Sequence, residues 1–125
     1  MTPTEILNNS YQRLMKQGAA STGVSGKGCF YRDEEGKGCA VGVLIEDDEL
    51  CAILDQEEAN SVESVESLLP AYLQGHIELL TELQWVHDSE LTNVGTYTFE
   101  ECLTVEYQRV AKRFELELEE YKESE

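Results

Sequence analysis

Apolar residues recur every three or four positions at both ends of the chain, and between those ends they gather into short runs. Near the start, Ile6, Leu7, Tyr11, Leu14 and Met15 fall on one helical face,. Thr2-Pro3-Thr4-Glu5 supplies the start signals: a capping threonine, a proline at the first helical position, and a glutamate placed to complete a capping box. This predicts an amphipathic helix up to Gly18. Toward the other end Phe99, Leu103, Tyr107, Val110, Phe114, Leu118 and Tyr121 keep the helical spacing behind a second capping box, Thr98 with Glu101,. That predicts one long C-terminal helix reaching Tyr121.

The middle reads differently. Cys29 to Arg32 and Gly38 to Ile45 are short apolar runs separated by Asp33-Glu34-Glu35-Gly36-Lys37, a turn with glycine where a positive φ is expected,. They predict a two-stranded hairpin. Residues 18 to 28 are small and flexible and predict a loop. Asp47 is placed to cap a short helix carrying Leu50, Cys51, Ile53 and Leu54, and Asn60 with Glu63 to start another carrying Val62, Val65, Leu68 and Leu69. Pro70 marks the start of a longer helix whose apolar face holds Leu73, Ile77, Leu80, Leu83, Gln84 and Val86, ending near His87 and Asp88. A polar connection around Gly95 follows. The expected fold is α+β: a mostly helical single domain over residues 1–125, with a two-stranded β-hairpin packed against the longer helices and a long C-terminal helix. Residues 115–125 form an acidic end or tail of that helix.

Composition supports folding. A chain of 125 residues is long enough to bury one core without disulfides or metal,. Its 41 % hydrophobic content and only two prolines outweigh the disorder that high net charge would otherwise suggest,. The first residues show no basic segment leading into an apolar run, and no stretch approaches the roughly eighteen apolar residues of a membrane span. A cytoplasmic protein is expected.

Charge then narrows the partners. Between Lys37 and Arg109 there is no lysine or arginine, yet that window holds 16 of the 26 acidic residues, nearly the whole formal charge of −17. Such a field repels nucleic acid and anionic membrane and attracts basic surfaces. The densest block is Glu46, Asp47, Asp48, Glu49, Asp55, Glu57, Glu58, Glu63 and Glu66. Two readings remain open for it: a phosphate-like array that competes with nucleic acid for a basic protein, or a solvated surface that serves solubility.

Candidate chemistry is thin. Cys29, Cys39, Cys51 and Cys102 have spacings that match no disulfide framework or zinc pair, and among apolar neighbours they read as small hydrophobes. The span Asp55 to Glu66 has an acid at each end, as a calcium loop does, but Ala59 offers no oxygen and Asn60 replaces the required glycine. His76 and His87 would lie about 16 Å apart on one helix, too far to share an ion. His87 instead suits a helix end, with Asp88 opening the turn. Cys39 could act as a nucleophile only if His76 or His87 approached it in space. Gly36-Lys37-Gly38 is too short for a phosphate loop.

The run Cys29-Phe30-Tyr31-Arg32, with Gly36, Cys39-Ala40-Val41-Gly42, Leu44-Ile45, Asp47 and Glu49, resembles a group of small bacteriophage proteins. Their signature is a Cys-x-Tyr-Arg segment, a short turn, and a Cys-Ala-(Ile/Val)-Gly-x-Leu-Ile segment leading into an acidic helix start. Two later stretches are similar to the same group: Leu79, Leu80, Leu83 and Gln84 with Val86-His87-Asp88, and Val110-Ala111 with Phe114 and Leu116. The chain departs from the pattern at Glu46, where a proline usually stands, and in its acidic tail. The resemblance implies phage origin and action inside an infected bacterium, and it brings no catalytic residues with it. Charge and resemblance together lead to a cytoplasmic, phage-encoded, non-enzymatic inhibitor or modulator without a cofactor. It is expected to bind a basic, nucleic-acid-handling host protein, as a DNA mimic against a defence system, with no direct contact to nucleic acid or membrane. The alternatives are a small metal- or thiol-dependent enzyme using Cys39, His76, His87 and Asp88, or an accessory protein that pairs with its own copy through the last helix.

Overall fold

The computed structural model describes residues 1–22, 30–58 and 60–122. Most of the expected flexible loop, the start of the first expected strand at Cys29, Ala59 of the failed calcium loop and the end of the acidic tail lie outside the described residues.

Helix α1, Pro3–Gln17, starts as its sequence requires: Glu5 N–H donates to Thr2 Oγ1 at 3.2 Å and Thr2 N–H donates back to Glu5 Oε1 at 2.9 Å,. It ends at Gly18, whose φ of 77° lets its N–H reach the Leu14 carbonyl,. Helix α5, Phe99–Arg113, repeats the device with Thr98 and Glu101. The two helices pack together through Tyr11 and Tyr107, whose ring centroids lie 5.9 Å apart, and through buried Ile6, Leu7, Leu14, Leu103 and Val110. Helix α4, Ile77–Val86, lies against α5 and buries Leu79, Leu80, Leu83 and Val86, then widens into a single π turn over His87–Leu91. Short helices α2, Asp48–Gln56, and α3, Val62–Val65, complete the fold, with α3 on α4.

The α+β expectation is overturned, because no strand occurs among the described residues. The hairpin turn itself forms, with Gly36 at φ 84° and Asp33 N–H bonded to the Lys37 carbonyl at 2.9 Å. Among the described residues the segments on either side do not pair. Every residue from Gly38 to Ile45 is buried, and an isolated two-stranded hairpin, with one face and both edges open to water, cannot bury a continuous run,. The segment instead threads through the core and tightens into a 310 turn at Gly42–Leu44. Side chains of α1 take the place of a neighbouring strand: Ser10 Oγ donates to the Ala40 carbonyl at 2.8 Å, Arg13 Nη1 to that of Val43 at 2.8 Å, and Gln17 Nε2 to that of Gly38 at 2.9 Å. The Tyr31 backbone crosses so close to Gly42 that a Cβ there would stand 2.0 Å from the Tyr31 oxygen. Only glycine fits that crossing.

Boundaries also move at three helices, the first being α3, which is capped by Ser61 rather than Asn60 and gives way after Val65 to a 310 turn at Glu66–Leu68. Pro70 opens isolated turns rather than a helix, since Gly75 takes φ 88° and α4 begins only at Ile77. The long C-terminal helix stops at Arg113. Glu115 adopts φ 56°, Leu116 N–H closes back on the Ala111 carbonyl at 2.8 Å, and the chain then runs non-helically along α1,. Leu116, Leu118 and Tyr121 pack against the core there.

Candidate functional site

The acidic block is built around α2. Asp47 caps it, its carboxylate accepting the N–H of Glu49 at 3.0 Å and of Leu50 at 3.2 Å, where the helix dipole favours negative charge,. Cys51 and Leu54 turn inward, so Glu49, Ala52 and Ile53 face water, and Glu57 and Glu58 continue the exposed surface. Ser61 caps α3, which buries Val62 and Val65 and leaves Glu63 outside. Glu46, Asp47, Asp48, Glu49, Glu57, Glu58 and Glu63 are all exposed, whereas Glu66 is half-buried.

Among the described residues, only the edge of this surface meets cations. Arg32 Nε approaches Asp48 Oδ1 at 3.1 Å, and Arg13 Nη2 approaches Glu46 Oε1 at 3.9 Å. Both carboxylates remain largely in water, where an ion pair contributes little,. Asp55 is different: its carboxylate turns inward to accept the backbone N–H groups of Tyr31 at 2.7 Å and Arg32 at 3.1 Å. Burial raises its pKa, and those two hydrogen bonds oppose the rise,. Asp55 thereby holds the 31–32 segment in place.

The structure does bring Cys39 together with three chemistry-bearing residues from the end of α4, Gln84, His87 and Asp88. Cys39, Gln84 and Asp88, with Tyr31 and Asn60, line a pocket of about 200 Å³. Gln84 bridges it, accepting Val41 N–H at 3.4 Å and donating to Asp88 Oδ1 at 2.8 Å. His87 stands beside it, fully buried, with Nε2 accepting Ser21 N–H at 3.0 Å and Nδ1 lying 3.0 Å from Asp88 Oδ1. Because Nε2 accepts a backbone proton, the ring proton belongs on Nδ1 and points at Asp88. Both nitrogens are therefore engaged, and neither serves as a base for Cys39. Burial pushes the Cys39 thiol up to about 12, despite hydrogen bonds from Gly42 and Val41 that favour the thiolate,. His76 sits at the opposite end of α4 and takes no part. Among the described residues no group of three or more His, Cys, Asp and Glu side chains converges as metal ligands would.

Sequence reasoning missed Ser10, Asn8 and Ser21 and treated Gln84 as a member of an apolar face. The available signal was polarity on a core-facing stripe. Asn8 and Ser10 are buried beside Leu7 and Tyr11, where a polar side chain must find partners inside,. Ser10 Oγ does so twice, donating to Ala40 and standing 2.7 Å from Tyr107 Oη, which is left as the donor between them.

A second exposed surface lies on α4 and α5. Trp85, Tyr97 and Val105 are 51 %, 67 % and 60 % exposed. The Arg109 guanidinium lies over the Trp85 ring at 5.9 Å and pairs with Glu82 at 3.2 Å and Glu106 at 3.1 Å. Among the described residues no helix is long and apolar enough to cross a membrane. The chain matches no family model, no curated protein and no solved structure.

Proposed function

We propose that this protein is a phage-encoded, acidic, non-enzymatic inhibitor or modulator that occupies the basic surface of a nucleic-acid-handling host protein. One observation carries the reading: seven exposed carboxylates from Glu46 to Glu63 crowd onto α2, α3 and their flanks, with arginines, among the described residues, only at the edge. That surface presents the charge a basic groove selects, and Ile53, 51 % exposed among the carboxylates, adds apolar contact,. The sequence resemblance supports phage origin and therefore a bacterial host. The engaged His87 and the unactivated Cys39 thiol favour binding over catalysis.

Capture from bacterial lysate on the immobilised protein tests the proposal, with the quadruple variant Glu49→Gln, Glu57→Gln, Glu58→Gln, Glu63→Gln as comparison. A basic protein is expected to bind at low salt, to leave at high salt, to be displaced by duplex DNA, and to bind the variant weakly. Capture insensitive to salt, to DNA and to the four substitutions overturns it.

A further inference from the structure

The α4–α5 side carries apolar surface that the core does not take and that the acidic block on α2 and α3 does not include. A groove of about 380 Å³ runs between α5 and the loop that follows the π turn. Val94, Tyr97 and Val105 form its apolar part, and Glu90, Glu101 and Glu106 stand around them. Two of the three carboxylates are held in position: Glu101 by the Thr98 backbone N–H at 3.0 Å and Glu106 by Arg109 Nε at 3.1 Å. Positioned groups lose little freedom on binding, so they favour association more than mobile ones do.

Charge complementarity decides the occupant. Glu106 is already shared with Arg109, so Glu90 and Glu101 leave the rim of the apolar floor net negative; such a rim repels acidic peptide, nucleic acid and anionic lipid, and attracts guanidinium and ammonium groups,. The apolar floor adds a second requirement, because a fully hydrated cation alone gains nothing from Tyr97 and Val105. We infer that this groove binds a basic peptide segment of a partner protein, in which one aliphatic side chain is flanked by arginine or lysine. The aliphatic group covers Val105 and Tyr97, and the flanking cations reach the glutamates. The site lies on elements other than α2 and α3 and stands whether or not that acidic block finds its own partner.

The probe is an amidated pentapeptide, Lys-Arg-Leu-Arg-Lys, titrated into the isotopically labelled full chain while backbone amide shifts are followed. Saturable shifts are expected at Val94, Tyr97 and Val105. Replacing the peptide's leucine by serine should weaken binding by about tenfold, the worth of one buried aliphatic side chain. The double variant Tyr97→Ala, Val105→Ser, at two exposed positions, should fold normally by circular dichroism and lose the same factor. Equal binding of the leucine and serine peptides overturns the inference, as does unchanged binding to the double variant. Shifts concentrated between Glu46 and Glu63 also overturn it, while leaving the proposal for α2 intact.

Discussion

Asp55 accepts the backbone N–H of Tyr31 at 2.7 Å, with its other oxygen on the N–H of Arg32 at 3.1 Å. One carboxylate thus fastens α2 to the segment that crosses over Gly42. An acid within the densest acidic block therefore does a different job from its neighbours. Asp55→Ala would leave two half-buried donors without a partner, and an unmade hydrogen bond of that kind costs about 1–3 kcal/mol. Glu49→Ala and Glu57→Ala, in water, should change stability by less than about 0.5 kcal/mol. Urea denaturation of the three variants checks the contrast. Equal, small effects would remove the structural role given to Asp55.

Two side chains of α1, Asn8 and Gln12, bond the tail backbone as a neighbouring strand would. Asn8 Nδ2 donates to the Glu117 carbonyl at 2.8 Å and its Oδ1 accepts Glu119 N–H at 2.7 Å, while Gln12, one turn later, donates to the Glu120 carbonyl at 3.1 Å. Asn8 is buried, so its loss exposes unpaired tail backbone to a site that water reaches poorly. Asn8→Ala is expected to cost about 1–2 kcal/mol and to release the segment. A glutamate-specific protease should then cleave after Glu117 or Glu119 faster than in the parent chain. Unchanged cleavage would show that Leu116, Leu118 and Tyr121 hold the tail without the clamp.

The starts of α1, α2 and α5 were legible because their signals are local, whereas Pro70 signalled a start that α4 does not use. Thr2 with Glu5 and Thr98 with Glu101 each place both capping partners within four residues, and both boxes form,. The segment Gly38 to Ile45 was not legible, because a buried apolar run has the same pattern whether it pairs with a strand or is held by side chains from another helix. Nothing near Ala40 announces that Ser10 will take its carbonyl. The expectation of a helix to Tyr121 failed for another reason: Phe114, Leu118 and Tyr121 fit a helix, but Leu116 and Leu118 between glutamates fit an extended chain equally well. For the site, exposure of the acidic block followed from its charge density, but the inward turn of Asp55 and the meeting of Cys39, Gln84, His87 and Asp88 depend on tertiary packing.

The ambiguity in the tail is resolved at Glu115, which supplies the left-handed residue that ends α5. At φ 56° a glutamate occupies a conformation that glycine adopts without steric cost,. Glu115→Gly should therefore raise stability by about 0.5–1 kcal/mol, and Glu115→Val should lower it, since a β-branched side chain is the least tolerant of positive φ. Thermal unfolding of both variants against the parent measures the two signs. A fall in melting temperature for Glu115→Gly would mean that the glutamate side chain has a role the helix end does not require.

Alkaline pH should expose the state of the buried thiol. Burial moves the Cys39 pKa from 9.0 to about 12, so across that interval an unfolded chain releases the proton while the folded chain keeps it. Its contribution to stability is complete below pH 9 and is lost as pH rises, at about 1.4 kcal/mol per pH unit for one proton,. Tyr31 and Tyr107, raised by their own burial, add the same sign at higher pH. Cys39→Ala opens a small cavity and lowers stability at every pH, so the slope is the informative quantity. Between pH 9 and 10 the variant should lose stability less steeply than the parent, by roughly the contribution of one proton. The folded parent should also react slowly with a thiol reagent at Cys39. Parallel slopes, or rapid modification of Cys39 in the folded chain, would place that thiol in a solvated and reactive setting and reopen catalysis at the pocket it shares with Gln84 and Asp88.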